Sequence, residues 1–219
     1  MWRILSTKKL LPGQKQYLLN AGLSVIEADF IAVRYKEFAL DAVNQNLIFT
    51  SQNAVRSFSG HPESSRYTGK KVFCVGRNTK ELAERTGFEV VAFTDYAAGL
   101  AEIITRDYSA ESFTFFSGNL RRDMLPDALT KAGVVFNEIE VYETSLTPHK
   151  INAGINGILF FSPSGVQSYL TENSISGETC FCIGTTTAEA LDRITENVVI
   201  ANKPTIENTI IQCINYYKR

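Results

Sequence analysis

The stretch Leu47–Phe58, LIFTSQNAVRSF, changes from an apolar run to small polar residues at Thr50 and Ser51 and then takes up helical spacing. The same change recurs 111 residues later in Ile158–Leu170, ILFFSPSGVQSYL. A buried strand, a polar turn and a helix in this order are typical of parallel sheets covered by helices on both faces. The two stretches therefore predict an α/β fold and raise the question of what their polar turns do.

The two stretches belong to a repeat that runs through most of the chain. A shift of 111 residues aligns three pairs of serines: Ser6 with Ser117, Ser51 with Ser162, and Ser57 with Ser168. A shift of 108 residues aligns VFCVGRNTKELAE with CFCIGTTTAEALD. We interpret residues 1 to about 106 and about 112 to 217 as two copies of one unit, since self-similarity constrains a fold more than short motifs do. A duplicated chain can keep each copy in one domain or exchange parts between domains, and the residues leave this open.

Local patterns predict how each copy folds. The runs RILST, KVFCVG and FTFFSG are each followed by a helical pattern, the last of them beginning near Met124 or Leu125 because Pro126 suits a first helical turn. One stretch in each copy, ADFIAVRYKE and NEIEVYETS, alternates apolar and polar residues with no helical pattern after it. Alternation suits half-exposed strands, so we predict that these two stretches pair antiparallel and connect the main elements.

The composition limits the classes of function. The chain has 219 residues, of which 44% are hydrophobic, enough for one large domain or two small ones. Its 23 acidic and 22 basic residues nearly cancel, so net charge suggests neither nucleic acid nor an anionic membrane as a partner. The four cysteines lack C-x-x-C spacing, which favours buried free thiols in a reducing compartment. No window approaches the roughly 18 apolar residues of a membrane span, and the first residues lack the apolar core of a signal peptide. We therefore expect a cytoplasmic protein.

The polar turns are the candidate ligand site. Ligands of parallel α/β sheets bind beyond the carboxyl ends of the strands, where helix N-termini offer unpaired N–H groups and partial positive charge to anions. Ser, Thr and Asn are also the preferred helix N-caps, so any single turn has a purely structural alternative. The candidates are Thr50, Ser51 and Asn53; Gly76, Asn78 and Thr79; Ser117, Gly118 and Asn119; Ser162, Ser164 and Gly165; and Gly184, Thr185, Thr186 and Thr187.

Other chemistry has few agents in this sequence. The two histidines, His61 and His149, have no metal-ligand spacing, and we expect neither a catalytic nor a metal role for them. The sequence contains no Walker A loop, no G-x-G-x-x-G and no G-x-S-x-G. What remains is anion binding by backbone amides and hydroxyls, with Arg and Tyr nearby.

The segments IFTSQNAV, FFSGNLRRDMLPDALTKAG, VYET, ILFFSPSGV and CIGTTTAEAL resemble, in this order and spacing, those of the uroporphyrinogen-III synthase family. The similarity covers essentially the whole chain, as far as KPTIENTIIQCI. The resemblance implies two flavodoxin-like parallel-sheet domains joined by a two-stranded β-ladder linker, with the substrate between them. The implied boundaries are 1–33 plus 148–219 for the first domain, 39–138 for the second, and 34–38 and 139–147 for the linker strands.

The same resemblance implies an activity. Enzymes of this family cyclise hydroxymethylbilane, a linear tetrapyrrole with eight carboxylates, to uroporphyrinogen III in haem biosynthesis, acting as cofactor-free and metal-free monomers. The reaction loses water to give an azafulvene and inverts ring D through a spiro intermediate. Because hydroxymethylbilane also cyclises unaided to the type I isomer, the protein's main task would be to impose a conformation on a reactive chain.

Individual residues follow from the matched motifs. Tyr142 matches the family's linker tyrosine, implying a phenol that hydrogen-bonds the departing hydroxyl; since a phenol is a weak acid with a pKa near 10, we expect a modest catalytic contribution. The alternative for Tyr142 is an aromatic anchor. The residues that match substrate-facing turns or carboxylate partners are Ser51, Ser117, Ser164, Thr186 and Thr187, with Arg56 and Arg121. Thr185 stands where the family usually has proline, which leaves open which threonine faces the substrate.

Two other classes of protein remain as alternatives. One is a non-enzymatic, two-lobed binding module for an anionic small molecule. The other is a receiver-like signalling domain, which calls for an acidic cluster at the strand ends, whereas the turns here carry Ser, Thr and Asn.

Overall fold

The computed structural model describes residues 1–218, and these form two compact units. The first unit comprises Met1–Ala32 together with the chain from Ser145 onward, and the second comprises Val33–Thr144. The chain therefore leaves the first unit once and returns to it once.

The order of helices and strands is nearly the same in the two copies of the repeat. The first copy contains β1 (Arg3–Ser6), α1 (Pro12–Asn20), β2 (Ser24–Glu27), β3 (Ile31–Tyr35), β4 (Asn46–Phe49), α2 (Gln52–Ser59), β5 (Lys71–Val75), α3 (Arg77–Arg85), β6 (Glu89–Thr94) and α4 (Ala97–Asp107). The second contains β7 (Ser112–Gly118), α5 (Met124–Lys131), β8 (Val135–Leu146), β9 (Gly157–Phe160), α6 (Pro163–Glu172), β10 (Thr179–Cys182), α7 (Thr185–Ala188), β11 (Val198–Ile200) and α8 (Ile206–Tyr217). Two short 3-10 helices, Ser64–Tyr67 and Glu189–Leu191, complete the described elements.

The two copies exchange strands. The sheet of the first unit has the order β2-β1-β9-β10-β11, and its neighbouring strands are parallel. The sheet of the second unit has the order β3-β8-β7-β4-β5-β6, in which the five strands from β8 to β6 are parallel. Each sheet thus joins a strand pair from one copy to a strand triple from the other. The order in the first unit, 2-1-3-4-5 along the chain, is the flavodoxin-like order.

Strands β3 and β8 are the two alternating stretches, and they run antiparallel as predicted. The Lys36 backbone N–H donates to the Val141 carbonyl at 3.0 Å, and the Thr147 N–H donates to the Phe30 carbonyl at 2.9 Å, so residue numbers rise along one strand as they fall along the other. The long β8 covers the positions that β2 and β3 share in the first copy.

The core lies on both faces of each sheet. Strands β4, β9 and β10 are buried along their whole length, as expected for parallel strands covered on both sides. A stacked ring pair, Phe49 and Phe116, lies in the core of the second unit with 5.3 Å between ring centroids, and burial of each such side chain contributes about 1.5–3 kcal/mol. All four cysteines are buried free thiols, as predicted.

Candidate functional site

The turns that follow β7 and β4 lie at the same edge of the sheet in the second unit. The two strands are parallel neighbours, and the strand order reverses between them. Such a reversal is the point at which open α/β sheets bind their ligands, because the connections leave it in opposite directions. Thr50 and Ser51 follow β4, while Asn119 follows Gly118 at the end of β7.

Tyr142 lies over this edge. Its strand, β8, pairs with β7 in a register that sets Tyr142 beside Gly118. A Cβ atom added at Gly118 would stand 2.3 Å from Cζ of the Tyr142 ring, well inside van der Waals contact. The absence of a side chain at residue 118 is therefore what allows the ring to lie there.

Ser51 connects the phenol of Tyr142 to helix α2. The Ser51 Oγ caps the helix by accepting a hydrogen bond from the Asn53 N–H at 3.1 Å, and the Ser51 side chain also hydrogen-bonds the Tyr142 phenol. Burial raises the pKa of Tyr142 above its ordinary value, while the bond to Ser51 lowers it by less. The phenol is therefore neutral at physiological pH and able to donate a hydrogen bond.

Asn119 holds the strand on the other side of Tyr142. Its side-chain oxygen accepts the Thr144 N–H at 2.8 Å, and its amide nitrogen donates to the Thr144 carbonyl at 3.2 Å. The Asn119 backbone N–H also donates to the Tyr142 carbonyl at 3.4 Å. Asn119 was expected to contact a ligand, and here both groups of its amide are engaged with the strand that carries Tyr142.

The two candidate arginines differ in their surroundings. Arg121 donates from Nε to Glu138 at 2.6 Å and forms an ion pair with Asp123, and these hydrogen bonds raise the pKa of the Arg121 guanidinium. Arg121 is thus already paired with two carboxylates. Arg56 is exposed on α2 and makes only a long contact, 3.4 Å, with Gln52.

The first unit has an equivalent edge, where β1 and β9 end. Ser162 caps α6 by accepting the Gly165 N–H at 3.0 Å, and its hydroxyl lies 3.0 Å from that of Ser164. Thr7, which follows β1, donates to the Leu159 carbonyl at 2.8 Å and would lie 3.6 Å from a Cβ atom on Gly165. The sequence analysis missed Thr7, although the repeat aligns it with Gly118.

The remaining candidates are distributed between surface and interior. In the turn that opens α7, Thr185 is exposed, Thr186 is half-buried, and the Thr187 side chain is only 1% exposed. Helix α7 begins at Thr185, so this threonine occupies the first helical position. Ser117, at 2% exposure, is also enclosed. The hydroxyls of Ser117 and Thr187 therefore do not reach the surface.

Gly76 and Thr79 have structural roles at the start of α3. Gly76 adopts a φ of +87°, which favours glycine, and its carbonyl accepts the Thr79 N–H at 3.1 Å. Thr79 is itself buried. This turn shows the capping role that was the alternative for every polar turn.

Other catalytic groups are scarce in the described residues. Burial raises the pKa of all four thiols to about 12, which disfavours a thiolate nucleophile. The ring nitrogens of His61 and His149 contact backbone carbonyls at 3.2 and 3.0 Å. Within residues 1–218, His, Cys, Asp and Glu side chains form no cluster suited to a metal ion, and no helix there has the length and apolarity needed to cross a membrane.

Comparisons with known proteins agree with this arrangement. A curated uroporphyrinogen-III synthase from Saccharomyces cerevisiae is 27% identical over 218 residues, covering 82% of this chain and 78% of the yeast protein. The crystal structure of uroporphyrinogen-III synthetase from Helicobacter pylori 26695 matches with a TM-score of 0.73 at 19% identity, covering 99% of this chain and all of that one. A mutant uroporphyrinogen III synthase from the extremely thermophilic bacterium Thermus thermophilus matches with a TM-score of 0.69 at 13% identity over the whole of both chains. At these identities the two solved structures show that the fold is shared.

The family is shown by a match over most of the chain. The family model described as Uroporphyrinogen-III synthase HemD matches residues 14–211. The motifs that carry the resemblance in the sequence, from the turn at Ser51 to the turn at Thr186, lie within this range. The chain therefore belongs to the uroporphyrinogen-III synthase family.

Proposed function

We propose that this chain cyclises hydroxymethylbilane to uroporphyrinogen III, with loss of water and inversion of ring D. Family membership supports the reaction and favours it over a non-enzymatic binding module. The observation that carries the assignment of residues is the neutral phenol of Tyr142, which lies over Gly118 and hydrogen-bonds Ser51 at the edge where α/β sheets bind ligands.

In the proposed reaction, Tyr142 donates a hydrogen bond to the hydroxyl that leaves the terminal hydroxymethyl group. The C–O bond breaks with its electron pair on oxygen, the hydroxyl departs as water after taking up a proton, and the azafulvene remains. Because burial raises the pKa of Tyr142, the phenol keeps its own proton and acts mainly by stabilising charge on the leaving oxygen. The contribution is therefore modest.

The larger part of the catalysis is control of conformation. Holding a flexible chain in one reactive geometry is worth several orders of magnitude in rate, up to about 10⁵–10⁸ M in effective molarity for well-oriented groups. Helices α2 and α6 each present N-terminal N–H groups beside a serine cap, which suits carboxylates. The residues proposed to contact the substrate, through side chain or backbone, are Thr50, Ser51, Asn53, Arg56, Ser117, Gly118, Asn119, Arg121, Ser162, Ser164, Gly165, Gly184, Thr185, Thr186 and Thr187.

The proposal extends to organisation. We take 1–33 plus 148–219 and 39–138 as two flavodoxin-like domains and the segments 34–38 and 139–147 as their linker. Support comes from the limits of the compact units, at Ala32 and Thr144, which fall within β3 and β8. We also propose a monomer that needs no cofactor and works in the cytoplasm, where buried free thiols stay reduced.

The test is the isomer of the product. Purified protein is added to freshly generated hydroxymethylbilane, the products are oxidised, and the type I and type III isomers are resolved by chromatography. We expect the type III isomer to replace the type I isomer that forms without protein. Formation of type I alone, by protein shown to be folded by circular dichroism, would overturn the proposed function.

A further inference from the structure

Ser57 and Ser168 occupy equivalent positions in the two copies, yet only one of their hydroxyls is bonded. Both side chains are buried, at 6% and 0% exposure, on helices α2 and α6. The Ser57 Oγ donates to the Val141 carbonyl at 2.6 Å. The Ser168 Oγ has no hydrogen-bond partner among residues 1–218. Two serines with the same place in the repeat thus differ in what they hold.

The bond made by Ser57 reaches the residue before Tyr142. It joins α2 to β8 across 84 residues of sequence. The same carbonyl also accepts the Lys36 backbone N–H at 3.0 Å, so Val141 is held from α2 and from β3 together.

Helix α2 therefore contacts the strand at two successive residues. Ser51, at its start, bonds the phenol of Tyr142, and Ser57, near its end, bonds the backbone of Val141. Fixing the backbone beside the ring limits how far β8 can slide or twist against the helix. The distance between the phenol and Ser51 is thereby restricted to a narrow range.

The other copy lacks both halves of this arrangement. The repeat aligns Tyr142 with Ile31, which has no phenol to position, and aligns Val141 with Phe30. The Phe30 carbonyl accepts a backbone N–H, that of Thr147, while Ser168 remains unbonded. The hydroxyl bond is present in the copy that has the tyrosine and absent from the copy that does not.

We propose that Ser57 is a positioning residue, whose hydroxyl holds β8 on α2 so that the Tyr142 phenol stays beside Ser51. The effect on turnover rests on the proposed function; the effect on the position of the phenol does not. Ser57 itself is enclosed and acts only through Tyr142.

The first experiment is a double-mutant cycle on the cyclisation. Ser57→Ala and the matched Ser168→Ala are each made in the wild-type and Tyr142→Phe backgrounds, and kcat and KM for type III formation are measured. We expect Ser57→Ala to lower kcat about tenfold with KM changed less than twofold, since small displacements of a reacting group are costly. Ser168→Ala should leave both constants unchanged. In the Tyr142→Phe background Ser57→Ala should have no further effect, because the two residues act as one unit.

The second experiment needs no activity. Protein labelled with ¹³C at tyrosine Cζ is compared by NMR, with the Tyr142 resonance identified by its loss in Tyr142→Phe. We expect Ser57→Ala to shift this resonance and Ser168→Ala to leave it in place. Ser57→Cys, close in volume, serves as a second variant if the alanine variant does not fold, and Ser57→Thr, which keeps the donor, should restore the resonance.

The outcomes separate the two proposals. An unshifted Tyr142 resonance in Ser57→Ala, or an equal loss of kcat with and without the phenol, would overturn the positioning role. Absence of type III product from the wild-type protein would instead overturn the proposed function, while the NMR comparison would still decide whether Ser57 positions the ring.

Discussion

Gly118 and Tyr142 are in such close contact that a Cβ atom on the glycine would lie 2.3 Å from Cζ and 2.4 Å from Cε2 of the tyrosine ring. The pair sits in register on neighbouring strands β7 and β8. Gly118 was expected as part of a ligand-binding turn, and its contact with Tyr142 adds a packing role: it leaves the space that the ring fills. The position of the phenol thus depends on a residue that contributes no side chain.

Gly118→Ala is predicted to displace the Tyr142 ring. Overpacking of this kind costs typically about 1–3 kcal/mol in stability, and the displaced phenol should also lower the rate of type III formation. Urea unfolding and the isomer assay measure the two effects. Gly154→Ala is the control, because a Cβ atom there meets nothing within 4 Å. Wild-type stability and activity in Gly118→Ala would show that the ring is free to move without consequence.

Tyr142→Phe is predicted to slow type III formation about tenfold without unfolding the protein, below the 10²–10⁴ typical of full general acid catalysis because the phenol is a weak acid. The ring still fills its place over Gly118, so the melting temperature should change little. Tyr67→Phe is the control: Tyr67 lies in the same unit and donates to the Leu40 carbonyl at 3.0 Å, away from the site. Full turnover by Tyr142→Phe at limiting substrate would leave the phenol without a chemical role.

The sequence predicts the elements of this fold better than the residues that hold its site. Strand, turn and helix follow from local patterns, and the helix predicted near Met124 or Leu125 begins at Met124. The exchange of strands between copies does not follow from any local pattern, because the hydrogen-bond partners of a parallel strand lie far away in the sequence.

The same limit applies to single side chains. Asn119 and Arg121 have the residue types of ligand-binding groups, yet their partners Thr144 and Glu138 lie 25 and 17 residues further along the chain. Only the three-dimensional pairing of β7 with β8 brings these groups together. The signal available in the sequence was the repeat, which marks Ser57 and Thr7 by their counterparts.

Ser51→Ala is predicted to combine a structural loss with a catalytic one. Losing the N-cap of α2 costs about 1 kcal/mol, and losing the hydroxyl beside the phenol should lower kcat for type III formation as well. Thr205→Ala is the matched control, since Thr205 caps α8 by accepting the Asn208 N–H at 3.1 Å and is outside the candidate set. Comparable stability losses with a rate loss only in Ser51→Ala would support the assignment; equal rate losses in both would contradict it.

Thr186 and Thr187 are predicted to differ although they are adjacent. Thr187 is buried, so Thr187→Ala should lower the melting temperature with little effect on KM. Thr186 is half-buried, and Thr186→Ala should raise KM for hydroxymethylbilane several-fold, as expected for removal of a hydrogen bond worth about 1 kcal/mol. Steady-state kinetics and thermal unfolding of both variants make the comparison. The reverse pattern would show that Thr187 is the residue that faces the substrate.

Stability is predicted to fall at alkaline pH because of the four buried thiols. Burial raises the pKa of Cys74, Cys180, Cys182 and Cys213 to about 12, whereas an exposed thiol has a pKa of about 8.5. Above that lower value the unfolded chain loses protons that the native protein keeps, so the free energy of unfolding is constant at neutral pH and declines as pH rises towards 12. The decline should approach about 1.4 kcal/mol per pH unit for each thiol.

Urea unfolding between pH 7 and 10 measures the decline directly. Cys213→Ala should reduce the slope by one thiol's share, because burial is the cause of the raised pKa at that residue. Native protein at pH 8 should also react slowly with a thiol reagent, and unfolded protein rapidly, since the thiolate is the reactive form. A free energy of unfolding that stays constant up to pH 10 would mean that the thiols ionise equally in both states, and hence that they are not enclosed in the native protein.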